Sequence, residues 1–156
     1  MKPKTVDFSR ASQVQILTQE SINGYDRLFG GKLMEWIDIV AAVVARRHSG
    51  KNVTTAVIDT LQFKGPAHPN DTVVLEGYIT YAGKTSMEVC VKTYVEELSG
   101  EQKLINTAYI VMVALDENEK PTLVPPLKLI SDMEEYEYFM AEKRYNLRKK
   151  RRQENY

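Results

Sequence analysis

From Gly30 to Arg47 the chain carries no proline and, after Gly31, no glycine, while Leu33, Met34, Trp36, Ile37, Val40, Val44 and the alanines leave few positions polar. A helix that is apolar around most of its circumference has to be wrapped by other elements. Ser49-Gly50 stops it, and Arg46, Arg47 and His48 stand where cations suit the carboxyl end of a helix. The wrapping material follows directly. Segments 52–64, 72–82, 86–97 and 103–115 are rich in β-branched and aromatic residues, with Val73, Leu75, Tyr78 and Ile79 set among Thr72, Glu76 and Thr80. Turn material parts them: Gly65-Pro66 to Asn70-Asp71, Ala82-Gly83-Lys84, and Ser99-Gly100-Glu101-Gln102. This pattern predicts long strands in an antiparallel meander. A first strand is predicted over 12–18, and a polar loop from Gln19 to Arg27. Asp116 to Pro126 reads as loop because Pro121, Pro125 and Pro126 interrupt it, and 130–152 as a highly charged helix lying on the surface.

The order of elements is that of an α+β chain, a curved antiparallel sheet around one long central helix, which is the hot-dog arrangement. No linker or repeat divides it, so residues 1–156 read as a single domain with a core at 12–127 and a helical tail at 128–156. A curved sheet on its own exposes two edges, and pairing into a homodimer with a continuous sheet is the expected remedy.

Composition excludes several function classes. Lys and Arg number 21 against 21 Asp and Glu, a formal charge of +0, which argues against a nucleic-acid-binding domain. The longest apolar run, Ile39 to Ala45, is far short of the ~20 residues a membrane span needs. Met1-Lys-Pro-Lys-Thr-Val-Asp7 has no apolar stretch behind its lysines, so no signal peptide is expected. Cys90 is the only cysteine, which fits a reducing cytoplasm, and with His48 and His68 it makes no metal-ligand set. Gly83-Lys84-Thr85-Ser86 has the end of a phosphate-binding loop, but Tyr78 stands where that loop needs glycine, and strands follow. There is no Gly-x-Ser-x-Gly elbow, and two histidines, one at a helix end and one in a Pro-flanked turn, read as structural.

Within the apolar run Leu33 to Ala45 only Glu35 and Asp38 are ionisable, and three positions apart they share a face. One reading is a solvent stripe of Glu35, Asp38, Ala42 and Arg46. The other comes from Phe29-Gly30-Gly31-Lys32, where two glycines at the helix start let backbone N–H groups approach a ligand oxygen. Asp38 lies ~10 Å further along the same helix, too far to act on a group held there. In a dimer, Asp38 of one subunit can face the Gly31 end of the other. Asn23, in the preceding loop, is either an Asn-Gly turn with Gly24 or a group that orients water or a carbonyl.

Asn23-Gly-Tyr-Asp-Arg-Leu-Phe-Gly-Gly-Lys-Leu-Met-Glu-Trp-Ile-Asp38, then Ala-Arg-Arg-His-Ser-Gly50 and Val53-Thr-Thr-Ala-Val-Ile-Asp59, resemble the acyl-CoA thioesterases of the hot-dog fold. Phe63-Lys-Gly-Pro-Ala-His-Pro-Asn-Asp71, Gly83-Lys-Thr-Ser-Met-Glu-Val89 and Val124-Pro-Pro126 continue the likeness, which covers roughly residues 12 to 127. It implies hydrolysis of an acyl-CoA thioester, with coenzyme A as part of the substrate and no separate cofactor, in a homodimer that assembles further into a tetramer or hexamer. The implied catalytic residues are Asn23 and Asp38 from opposite subunits, Asp38 as general base or nucleophile, and the Gly31 amide on the thioester carbonyl. Gly30, Thr55 and Ser86 are implied as substrate-binding. Trp36, Met34 and Tyr25 are expected to floor an acyl tunnel. Asp26 and Asn70 stand where relatives carry glycine; both tolerate left-handed backbone. Arg148-Lys149-Lys150-Arg151-Arg152 is a solvated helix end or meets the phosphates of CoA. The alternative function is an acyl-CoA-binding module without hydrolysis. A hydratase is less well supported, since neither histidine follows Asp38 at the spacing that family uses.

Overall fold

The structure, a computed structural model, describes residues 1–155. In chain order the elements are β1 (Lys4–Thr5), α1 (Val6–Ser9), β2 (Ala11–Ile16), a 3-10 turn at Gln19–Ser21, α2 (Gly30–Ser49), β3 (Asn52–Phe63), β4 (Thr72–Ala82), β5 (Ser86–Glu96), β6 (Gln102–Leu115), β7 (Leu127–Lys128) and α3 (Asp132–Gln153). The central helix ends as its sequence dictates. Gly50 takes φ 67 and donates its N–H to Arg46 O at 2.8 Å, a left-handed cap that a side chain would disfavour.

β2, β4, β5, β6 and β3 form, in that order, one antiparallel sheet around α2, the hot-dog fold. The meander is shorter than its sequence suggests. Only β4, β5 and β6 follow one another; β3 pairs with β6 at the far edge. The segment after β3 is no hairpin, because its backbone bonds elsewhere: Leu28 N–H to Ala67 O, and Asn70 and Leu17 to each other's neighbourhood through Asn70 N–H to Leu17 O and Leu17 N–H to Asp71 O, at 2.8 to 2.9 Å. It crosses the amino end of α2 instead of turning back. Three small elements, β1, β7 and α1, escaped the sequence pattern. β1 and β7 pair in parallel, and each is two residues long, below any usable periodicity.

Leu33, Ile37, Val40, Ala41 and Val44 of α2 are buried against Val73, Leu75, Met87, Val89, Ile110 and Met112 of the sheet. At Gly77 the helix comes so close that a Cβ would stand 2.6 Å from Val40 Cγ1. The other face of the sheet is covered by α3. The Tyr81 ring stacks beside Tyr138 and Tyr145, with centroids 5.0 and 5.2 Å away. The charged tail is therefore more than a solvated surface helix. Ala141 and Arg148 are buried, and Arg144 and Arg148 reach the fully buried Glu88.

Candidate active site

The amino end of α2 is built for close approach. Phe29 caps the helix without any side-chain hydrogen bond, and its own N–H is committed to Ser21 O at 2.8 Å. The first N–H groups of a helix have no acceptor within it, so the amides of Gly30 and Gly31 stay available to an oxygen from outside. Gly31 also leaves room for the Phe29 ring, which a Cβ there would meet at 2.7 Å and push aside. Gly30 faces the Phe63 ring, with 3.8 Å from a built Cβ to Cζ.

Two turns on, Asp38 is half-buried and receives a hydrogen bond from Thr55 Oγ1 at 2.6 Å. Thr55 stands on the exposed edge strand β3, and its oxygen also lies 3.5 Å from Met112 Sδ. The expected stripe on α2 thus divides. Glu35 and Arg46 lie in solvent, Glu35 paired with Lys32 at 3.2 Å, while Asp38 turns toward the sheet.

Asn23 starts a tight turn. Its Oδ1 accepts the N–H groups of Tyr25 at 2.9 Å and Arg27 at 3.3 Å, and its own N–H bonds Arg27 O at 2.8 Å. With the carboxamide oxygen committed, Nδ2 is the group left to meet a ligand. Asn23 borders a cavity of about 400 Å³ with Arg27, Leu33, Phe63 and Ile105, beside the start of α2. The structure therefore gathers Asn23 and Gly31 at one end of the helix, and Asp38 with Thr55 at another place. Neither Asp38 nor Thr55 lines the cavity that Asn23 borders.

Ser86 is elsewhere in the chain. It pairs with Val113 in register, on the sheet face opposite α2, and borders a cleft of about 320 Å³ with Val57, Tyr145, Arg148, Arg151 and Arg152. The expected acyl-tunnel floor does not assemble within one chain. Trp36 is part of the core, 8% exposed, whereas Met34 and Tyr25 stand out at 37% and 86%: helical spacing turns Met34 away from Trp36, and Tyr25 lies in the turn that Asn23 starts, before the helix. Asp26 and Asn70 adopt φ 55 and 72, as their places in the glycine positions suggested. Gly83 to Ser86 is a hairpin turn closed by Gly83 N–H to Ser86 O at 2.8 Å. His48 is buried with Nε2 2.8 Å from Pro125 O, and His68 sits in a turn whose N–H bonds Asp71. Among the described residues no group of three or more His, Cys, Asp or Glu side chains gathers at metal-binding distance, and no helix is long and apolar enough to cross a membrane.

The buried ionic cluster beneath α3 was missed by sequence reasoning. Its signal was present: Asp59 is the lone acid of β3, Glu88 is set among Met87, Val89 and Cys90, and Arg144, Arg148 and Arg151 recur on one helix face.

Residues 25–99 match the model of the thioesterase superfamily. The uncharacterized acyl-CoA thioester hydrolase YkhA of Bacillus subtilis (strain 168) is 41% identical over 131 residues, 83% of this chain and 76% of that protein. The chain belongs to the acyl-CoA thioester hydrolases of this superfamily. Solved structures of similar enzymes superpose on the hydrolase closely. An acyl-CoA hydrolase from Bacillus cereus aligns with TM-score 0.93 at 34% identity, covering 99% of this chain and 94% of the other. The Staphylococcus aureus acyl-CoA hydrolase, solved with butyryl coenzyme A, coenzyme A and its disulfide, aligns at 0.92 and 33%, covering 97% and 93%. Against the mouse acyl-coenzyme A thioesterase 11 and acetyl-coenzyme A thioesterase, the hydrolase spans only 20% and 22% of their lengths.

Proposed function

We propose that the hydrolase cleaves an acyl-CoA thioester to free CoA and a carboxylic acid in a site completed by a second copy of the chain. The observation that carries this reading is the Thr55–Asp38 hydrogen bond: it turns a carboxylate on an otherwise apolar helix toward the edge strand, with an uncapped glycine helix start on the same helix. The amides of Gly31 and Gly30 of one subunit polarise the thioester carbonyl, and Asn23 Nδ2 from that end orients the carbonyl or a water. Asp38 of the other subunit acts as general base or nucleophile. As base it takes a proton from water while the hydroxyl oxygen adds to the carbonyl carbon; the C–S bond then breaks and the CoA thiolate takes up a proton. As nucleophile its carboxylate oxygen adds to the carbonyl carbon, the C–S bond breaks to release the CoA thiolate, which takes up a proton, and water then opens the acyl anhydride to the carboxylic acid and free Asp38. Thr55 holds the carboxylate at the angle either step needs, and Ser86 contacts substrate from the outer face of the sheet.

Support comes from the Staphylococcus aureus enzyme. It has been solved with alanine replacing an asparagine, an aspartate or a threonine, spaced 15 and 17 positions apart, as Asn23, Asp38 and Thr55 are here. For assembly, a structural relative at TM-score 0.92 and 37% identity is a hexameric acyl-CoA thioesterase. We place the protein in the cytoplasm, in keeping with its free buried Cys90 and with a rat relative, 26% identical, that is named cytosolic.

The test is release of free thiol from a panel of acyl-CoAs, short to long, by wild type and Asp38→Asn at equal folded concentration. The variant is expected to lose about a hundredfold or more in kcat. Near wild-type turnover would remove Asp38 from the chemistry. A wild type that binds acyl-CoA but releases no thiol would leave the non-hydrolysing binding module as the function.

A further inference from the structure

The ionic cluster under α3 does not touch the groups proposed to react, yet it is costly to build, since charges taken from water are stabilised only by close and complete pairing. Glu88, 0% exposed on β5, accepts Thr80 Oγ1 at 2.7 Å, Arg144 Nη2 at 2.7 Å and Arg148 Nη1 at 2.9 Å. The same Arg148 Nη1 lies 2.9 Å from Asp59 Oδ2, and Arg151 reaches the other Asp59 oxygen at 3.3 Å. One nitrogen thus bridges the central strand β5 to the edge strand β3.

β3 needs such a tie. It is paired on one side only, and its register against β6 slips twice, between Thr55 and Val57 and between Ile58 and Leu61. A bulged strand bends, and its ladder no longer fixes the position of each residue. Asp59 lies inside the second slip, without a register partner on β6, but its side chain is only 6% exposed because the arginines hold it. Four residues back along the strand, Thr55 makes the 2.6 Å bond to Asp38.

We infer that Arg148 is a positioning residue for Asp38, acting through the bulged edge strand and Thr55. The inference rests on Asp38 as the reacting carboxylate. Losing the tie lets β3 drift at Asp59, which spoils the Thr55–Asp38 geometry without touching substrate, and small misplacements of a reacting group are expensive in rate.

A double-mutant cycle tests it, with kcat and KM measured for Arg148→Met, Thr55→Ala and the pair. Arg148→Met is expected to lower kcat about tenfold with KM changed by less than about twofold, and to cost nothing further in the Thr55→Ala background. Arg148→Lys is expected to recover part of the loss, since one ammonium can replace the bridging nitrogen. Losses that multiply in the double variant, or a fall in kcat that merely tracks the folded fraction, would overturn the inference. Should Arg148→Met fail to fold, Asp59→Asn removes the same tie and takes its place in the cycle. A wild type that releases no thiol would defeat the hydrolase reading alone. The tie is then read from the backbone amide resonances of Thr55 and Asp38. Displacement by Arg148→Met or Asp59→Asn supports it, and unmoved resonances overturn it.

Discussion

Glu35 and Asp38 share a face of α2, but only Asp38 meets a partner on another strand. Residue pattern alone left these two carboxylates equivalent, and only the family resemblance singled out Asp38; the structure adds that Asp38, not Glu35, is bonded by β3. The same contrast separates the histidines. His68 sits in an exposed turn, while His48 is buried with its Nε2 on Pro125 O and its Nδ1 without a partner among the described residues. Burial pushes the His48 pKa below 6.5; the Pro125 carbonyl, which favours the protonated ring, offsets this in part, and nearby Lys4 adds to the lowering. The unfolded chain therefore binds a proton at higher pH than the folded one. The contribution of neutral His48 is fully present above about 6.5 and is lost as pH falls through that value toward the lower folded pKa. Thermal unfolding followed between about pH 7.5 and 5.5 is expected to show Tm declining, with the slope flattened in His48→Gln. An unchanged slope would mean that other groups govern acid sensitivity.

At the scale of elements, α2 and the strands β4, β5 and β6 are legible because each is long and its apolar pattern has one period. The crossover of β3 was not legible, because a strand's own pattern says that it is half-buried and nothing about its neighbour. The packing of α2 on the sheet depends on Gly77, where an added Cβ would lie 2.6 Å from Val40 Cγ1 and 3.2 Å from Val44 Cγ2. Both are branched side chains in the core, so neither can swing aside. Gly77→Ala is expected to destabilise the fold by about 1–3 kcal/mol, read from the denaturant midpoint. A variant as stable as wild type would show that the helix can lift from the sheet at no cost. The charged tail illustrates the reverse error. Its composition reads as a solvated helix, yet its arginines recur on a face that meets two acids presented by the sheet.

For the whole molecule, the apolar surface along α2, its amino end and β3 is unusual for a chain acting alone. Ile39 is 50% exposed, Phe29 and Phe63 54% each, and Val57 38%, beside a strand edge with no partner. Exposed apolar groups next to an open edge fit an interface with a second copy, the arrangement that the proposed site, with Asp38 acting at another chain's Gly31, requires. Ile39→Glu is expected to leave the fold intact by circular dichroism, shift the protein to monomers in light scattering, and abolish thiol release. Active monomers would show that one chain holds a complete site. By itself the sequence determined the apolar helix, the strands that wrap it and the small set of residues able to carry chemistry, because periodicity, glycine and lone charges are local properties. The tertiary structure decided which strand lies beside Asp38, that Ser86 and Asp38 lie on opposite faces, and that tail arginines are buried. Those depend on strand order and on contacts between residues far apart in the chain, which no local pattern encodes.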